Sequence, residues 1–188
     1  MEKLKVGDRM PNLTFTTSTG RKLTTEQAIG GKRTVFWVLR YIGCPVCRYD
    51  VHVLIQRYDE FRKRNTQVYV VMQSDPAVLA DVLKDEKIPF EIICDPDMTI
   101  YKTLAVPTAK DMNELIPQTG EDAPKWEQKQ KDFTDAGFAH GKYEGDEMQL
   151  PAFFIVKGDG VITEAHYAKD VVDMPSVDEV TAMLDKER

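Results

Sequence analysis

Two rhythms of apolar positions run through the chain. Residues 34–39 (Thr-Val-Phe-Trp-Val-Leu) are β-branched and aromatic without alternation. A run that short predicts a strand covered on both faces. At Gly43 the pattern changes, and Val51, Leu54, Ile55, Tyr58 and Phe61 recur at intervals of three and four. That spacing predicts a helix, reaching to about residue 64, with one face in a core. Residues 67–72 form a second buried strand, so the centre of the chain reads as a β-α-β unit.

The flanks follow the same logic. Residues 13–16 alternate as a short strand and 18–21 turn it back, giving an N-terminal hairpin. Thr24 and Thr25, followed by Glu26 and Gln27, predict a capping-box helix that ends at Gly30 and Gly31. Ser74, Asp75 and Pro76 predict a helix to about residue 84, residues 89–94 a third strand, and Asp95, Pro96 and Asp97 another helix start. Residues 151–156 and 161–167 flank Gly158, Asp159 and Gly160 as an antiparallel hairpin. Ser176 with Glu179 opens a last helix through a second capping box. The fold class is therefore α/β, a central mixed sheet flanked by helices.

Between residues 107 and 150 the pattern loosens. Charged and turn-forming residues dominate, Gly120, Gly137, Gly141 and Gly145 interrupt them, and only residues 124–133 read as helical, with Trp126 and Phe133 seven apart on one face. The segment is expected to be an insertion in a single domain spanning residues 1–188. A connection this long is functional or disordered, and the expectation is that it packs beside the candidate site and shapes access to it; the alternative is a decorative excursion.

Composition narrows the classes. The chain has 188 residues, enough for a single domain that buries about 70% of its unfolded surface without a disulfide framework. Apolar residues make up 42% and charged residues 30%, and the mean hydropathy is -0.40, values of a soluble globular protein. The N-terminal residues show no apolar leader and no membrane anchor is indicated, so the expected compartment is the cytoplasm. A net charge of -6 argues against nucleic acid, whose phosphates call for a basic surface.

The chemistry sits on the junction between the first central strand and its helix. Cys44 and Cys47 are separated by two residues there, and reducing cytoplasm favours catalytic or sensing roles for such a pair over structural ones. Pro45 suits the first helical position, which places Cys44 on the N-cap, where the amides of Val46 and Cys47 and the helix dipole favour a thiolate. Arg40 and Arg48 flank the pair. Such surroundings bring a cysteine pKa from about 8.5 to between ~3.5 and ~7.5. Cys47, four residues before Val51, falls on the buried face, so Cys44 is expected to attack and Cys47 to resolve. The competing readings are two small buried thiols and half of a zinc site; the second lacks a partner Cys-x-x-Cys or paired His. Cys94 ends a strand among acidic neighbours and is expected to be a bystander rather than a second resolving thiol. His52, His140 and His166 are too scattered for a base or metal set, so no metal and no cofactor is expected. Trp37 is expected in the core and Tyr41 over the pair.

This order of elements, with a proline opening the late hairpin, resembles the thioredoxin fold. In that superfamily the proline is cis and lies against the active pair, a role that falls on Pro151. The chain also resembles peroxiredoxins of the alkyl hydroperoxide reductase and thiol-specific antioxidant type, through Val6-Gly7-Asp8, Met10-Pro11, residues 20–23, 89–97 and 152–160. Gly43-Cys44-Pro45-Val46-Cys47-Arg48 and the tail 166–179 resemble the peroxiredoxin-like 2, or selenoprotein U-like, branch. Against the peroxiredoxin pattern Pro-x-x-x-Thr-x-x-Cys, Arg40 stands at the proline, Cys44 at the threonine and Cys47 at the attacking cysteine. The resemblance thus assigns attack to Cys47, and the helix cap assigns it to Cys44. The orienting threonine is missing, and Leu150-Pro151-Ala152 stands where an arginine is expected. Losing one such donor costs about 2.7–4 kcal/mol of transition-state stabilisation, a loss that Arg40 or Arg48 can offset. Slow peroxidase activity and better dithiol-disulfide exchange are expected.

The function expected is a thiol-dependent oxidoreductase that uses Cys44 and Cys47 to reduce peroxides or disulfides. Its expected partners are an external dithiol reductant of thioredoxin or glutaredoxin type and a second copy of the chain in a homodimer, with no nucleic acid and no membrane. The alternative is a redox-sensing binding module whose Cys44–Cys47 disulfide alters a partner surface without turnover.

Overall fold

Seven strands form one mixed sheet: β1 (Thr14–Thr17), β2 (Lys22–Thr24), β3 (Arg33–Val38), β4 (Thr66–Met72), β5 (Glu91–Cys94), β6 (Ala152–Val156) and β7 (Ile162–Tyr167), in the order β2-β1-β5-β4-β3-β6-β7. A computed structural model describes residues 2–186. β3, β4 and β5 run parallel, while β1 and β6 join them antiparallel and carry β2 and β7 at the edges. The helices are α1 (Thr25–Ile29), α2 (Pro45–Arg62), α3 (Pro76–Val82), α4 (Thr99–Thr103), α5 (Met112–Leu115), α6 (Ala123–Asp135) and α7 (Val177–Lys186).

The unbroken apolar run of β3 has a two-sided cause. Val35 and Trp37, with Leu39 just beyond, meet Val51, Leu54 and Phe61 of α2 and Val180 and Leu184 of α7 on one face. Phe36 and Val38 meet Ala28, Ile29, Ile100 and Leu104 on the other. Each such side chain contributes about 1.5–3 kcal/mol when fully buried, so the sheet is clamped from both sides and its strand ends are held rigidly.

Local signals set the helix ends. Thr24 and Gln27 form the reciprocal capping box of α1, and Gly30 closes that helix at φ 54°. Ser176 and Glu179 form the second box, with the Glu179 amide on Ser176 Oγ at 3.2 Å and the Ser176 amide on the Glu179 carboxylate at 2.9 Å. The start expected at residues 95–97 lies further on. α4 begins after Met98, while the Asp95 carboxylate accepts from the amides of Thr99, Ile100 and Tyr101 at 3.0, 2.7 and 3.3 Å.

The 107–150 segment holds α6, as expected, and also the short α5, which Asp111 caps. Its last part, residues 139–149, crosses the carboxyl ends of β3 and β4 as a strap without regular structure. The Gly141 amide donates to the Gly43 carbonyl at 2.8 Å, and the Asp146 amide donates to Gln73 Oε1 at 2.6 Å. A side chain at Gly43 would run into the backbone of Lys142, and one at Gly145 into Gln73. Backbone therefore lies directly on backbone at Gly43, and the strap backbone lies directly on the Gln73 side chain at Gly145.

One expectation is corrected here. The Leu150–Pro151 peptide is trans, since none of the described peptide bonds is cis. The Leu150 amide is bonded to the Pro107 carbonyl, and the Pro151 carbonyl accepts from Ala168, both at 3.1 Å. The chain is thus already extended into the β6 ladder and makes no turn at that proline. Among the described residues, no helix is long and apolar enough to cross a membrane.

Candidate active site

β3 ends, the chain turns through residues 39–43, and α2 begins with Pro45 at its first position and Cys44 as its N-cap. This turn is pinned from several sides. The Gln73 amide donates to the Arg40 carbonyl at 2.8 Å, and the Ile42 amide donates to Ser74 Oγ at 2.9 Å. Beneath it, the fully buried Tyr101 hydroxyl donates to the Leu39 carbonyl at 2.6 Å. The two cysteines are consequently delivered on a fixed backbone.

Both thiols are free and buried, Cys44 at 2% and Cys47 at 3% exposure. Their acidities separate. The Cys47 thiol, donating to the Cys44 sulfur, brings Cys44 down to about 6; burial opposes this, and the Arg40 charge and the amides of Cys47 and Val46 assist it. No capping hydrogen bond of good geometry closes on Cys44, so the amides act as nearby dipoles. Cys47 is pushed well up, by burial first and then by the same donated hydrogen bond and the Cys44 charge. Ionisation is therefore favoured at Cys44 and disfavoured at Cys47.

Arg40 is the cation of the site. Its side chain is enclosed with the residue at 6% exposure, Nη1 donates to Cys44 Sγ at 3.3 Å, and Nη2 donates to the Glu147 carbonyl in the strap. Its Nε has no partner. Burial works against its charge, yet the facing thiolate leaves the guanidinium held more firmly protonated than usual. Tyr41 lies alongside, with the Arg40 guanidinium 5.2 Å from its ring centre and its hydroxyl 3.1 Å from His140 Nε2.

The other residues singled out in the sequence are placed differently. Arg48 touches neither sulfur. It pairs with Glu86 and lies 4.6 Å over the Phe138 ring, because adjacent helix positions point in different directions. Pro151 comes next after the Ala152–Val38 pair in the register, beside Leu39 at the end of β3. Cys94 sits at the end of β5, two strands from β3 and so about 10 Å across the sheet. Burial first, then the Asp75 and Glu144 charges, push it up to about 12. His52 stacks edge-on to Phe138 and His166 bonds to the Asp173 carbonyl, while His140 belongs to the strap beside Tyr41. Among the described residues no three His, Cys, Asp or Glu side chains group as a metal site.

Sequence reasoning missed Tyr101, Ser74, Gln73 and Glu147. The last acts through its backbone carbonyl, which no residue type advertises. A cavity of about 890 Å³ between α2, α6 and α7 is lined by Tyr49 and Asp50, but no cysteine reaches it.

Two free cysteines at a helix start and a buried arginine thus stand together on a thioredoxin-like frame. A family model described as the AhpC/TSA family matches residues 6–165. The chain belongs to the AhpC/TSA family. Solved structures share its fold at low identity. A cysteine-to-serine mutant of peroxiredoxin 6 of Arenicola marina aligns at TM-score 0.72 and 16% identity, covering 97% of this chain and 72% of that one. A cysteine-to-serine mutant of PrxQ from Xylella fastidiosa gives TM-score 0.71, 14% identity and coverage of 100% and 99%. Peroxidoxin BcpB from Mycobacterium tuberculosis gives 0.69, 12%, 98% and 99%. No curated protein matches the chain.

Proposed function

We propose that this AhpC/TSA-family chain is a dithiol peroxidase in which Cys44 attacks and Cys47 resolves. The observation that carries the reading is the placement of Cys44 at the start of α2 with Arg40 Nη1 donating to its sulfur at 3.3 Å, which favours the thiolate on Cys44, while burial favours the thiol on Cys47. The thiolate attacks the distal oxygen of a hydroperoxide, the O–O bond breaks, and the alkoxide takes one proton from solvent. Cys47 sulfur then attacks the Cys44 sulfenic acid, its proton leaves with the hydroxide as water, and a Cys44–Cys47 disulfide remains. The sum is two thiol sulfurs oxidised, one hydroperoxide reduced to an alcohol and water. An external dithiol of thioredoxin or glutaredoxin type restores the pair by exchange.

Burial bears on the substrate class and supports the smaller one. Cysteines at 2% and 3% exposure leave no surface on which the disulfide of a folded protein could dock, which favours a small hydroperoxide over the disulfide exchange expected from the sequence. Placement in the peroxiredoxin-like 2 branch rests on residues 43–48 and 166–179. Within a single domain, the 107–150 insertion serves to cover the dithiol. The test is consumption of an alkyl hydroperoxide with a dithiol reductant. Turnover is expected to vanish in both Cys44→Ser and Cys47→Ser; activity surviving in either would show that the pair does not act together. The redox-sensing alternative is favoured if one equivalent of peroxide is consumed and no dithiol supports turnover.

A further inference from the structure

The buried dithiol poses a problem of access. A reductant large enough to carry its own dithiol must touch a sulfur, yet both cysteines are buried and the strap lies across the mouth of the site. Three successive contacts join the cysteine turn to that strap: Arg40 to the Glu147 carbonyl, Tyr41 to His140, and Gly43 to Gly141. Of these, only the Arg40 contact involves a group that also touches the reacting sulfur.

Arg40 has no carboxylate partner within ion-pair distance among the described residues, and the anion it faces is Cys44. A buried cation is stable while its counter-charge is present and strongly unfavourable once that charge is gone. Disulfide formation removes it, because Cys44 sulfur is then neutral and bonded to Cys47. What is left to Arg40 is a neutral carbonyl at Nη2, a ring face and an Nε without an acceptor. Its relief is to turn toward water, and the strap covering it is exposed along most of residues 139–147.

We propose that Arg40 couples the redox state of the dithiol to the strap: oxidation of Cys44 frees the guanidinium, which releases the Glu147 carbonyl and opens residues 139–149, presenting the disulfide to its reductant. This inference rests on the dithiol reading given above. It moves the strap and leaves α2 in place, since Cys44 is the N-cap of α2 and Cys47 stands three residues on in its first turn. The reduced enzyme is therefore closed to macromolecules and the oxidised enzyme open to them.

Hydrogen-deuterium exchange on the full chain, reduced and after one equivalent of hydrogen peroxide, tests the proposal, with peptides from α6 and α7 as internal references. Oxidation is expected to raise exchange several-fold in peptides covering residues 139–149 and to leave α2 protected. Reduced Cys44→Ser, which lacks the thiolate, is expected to show the raised exchange without oxidant, and reduced Cys47→Ser to stay closed. Arg40→Gln and Arg40→Met should remove the difference between the two redox states. A Cys44–Cys47 disulfide confirmed by mass, with unchanged exchange in the strap, overturns the coupling and leaves the dithiol chemistry standing. Absence of that disulfide overturns both. Loss of protection along α2 instead of the strap also overturns the proposal.

Discussion

Cys44 follows β3 and Cys94 ends β5, two parallel strands of the same sheet, and both thiols are enclosed in the protein. Burial pushes both upward, yet Cys44 comes down to about 6 and Cys94 rises to about 12. The difference lies in what each sulfur meets. Cys44 meets a donated thiol, a guanidinium and the amides of a helix start; Cys94 meets the charges of Asp75 and Glu144, and its thiol points only at the Ile92 carbonyl at 3.9 Å. A cysteine at the carboxyl edge of a sheet is therefore not reactive by position. Donors aimed at the sulfur have to exceed the cost of burial.

The comparison breaks most sharply by exchanging roles. Cys94→Ser is expected to keep hydroperoxide turnover near the unsubstituted level, whereas Cys44→Ser abolishes it; loss of turnover in a folded Cys94→Ser protein would mean that the quiet sulfur takes part. Next in size is Arg40→Met, which removes the opposite charge beside Cys44. The ionisation midpoint should move upward by roughly 1–3 pH units, and the reaction with peroxide near neutral pH should slow accordingly. The smallest effect is expected from Arg48→Gln. Arg48 is spent on Glu86 and Phe138, so the midpoint should stay in place while stability falls by about 1–3 kcal/mol as charged hydrogen bonds are lost.

The sign of the pH response follows from the same geometry. Folding lowers the Cys44 midpoint from an unfolded value of about 8.5 to about 6. The reduced protein thus gains stability from this group as pH rises between those values and loses it as pH falls through about 6. Attack on peroxide should level off above that midpoint and drop about tenfold per pH unit below it.

The frame and the pair were legible in the sequence because they are written in local rhythm. The unbroken run of β3, the three-and-four spacing of α2, Pro45 after Cys44, and the Ser176 and Glu179 box each encode their own position. What stayed hidden is long-range or carried by backbone. Arg40 and Arg48 look equivalent beside the pair, and only the helical turn shows that one faces the sulfur and the other faces away. Tyr101 sits sixty-two residues from Leu39 yet holds its carbonyl. Glu147 contributes a carbonyl that any residue type supplies. The strap was expected near the cysteines, but its grip comes from Gly43 and Gly145 lying bare against backbone and Gln73, a fit visible only in three dimensions.

The central claim is that Cys44, and not Cys47, carries the charge at neutral pH. Thiolate absorbance followed across pH in the reduced protein tests it without needing reagent access. One thiolate per chain should form with a midpoint near 6, vanish in Cys44→Ser and persist in Cys47→Ser and Cys94→Ser. A low-pH step that survives in Cys44→Ser and disappears in Cys47→Ser would contradict the account, and so would a Cys44 midpoint at the ordinary thiol value of about 8.5.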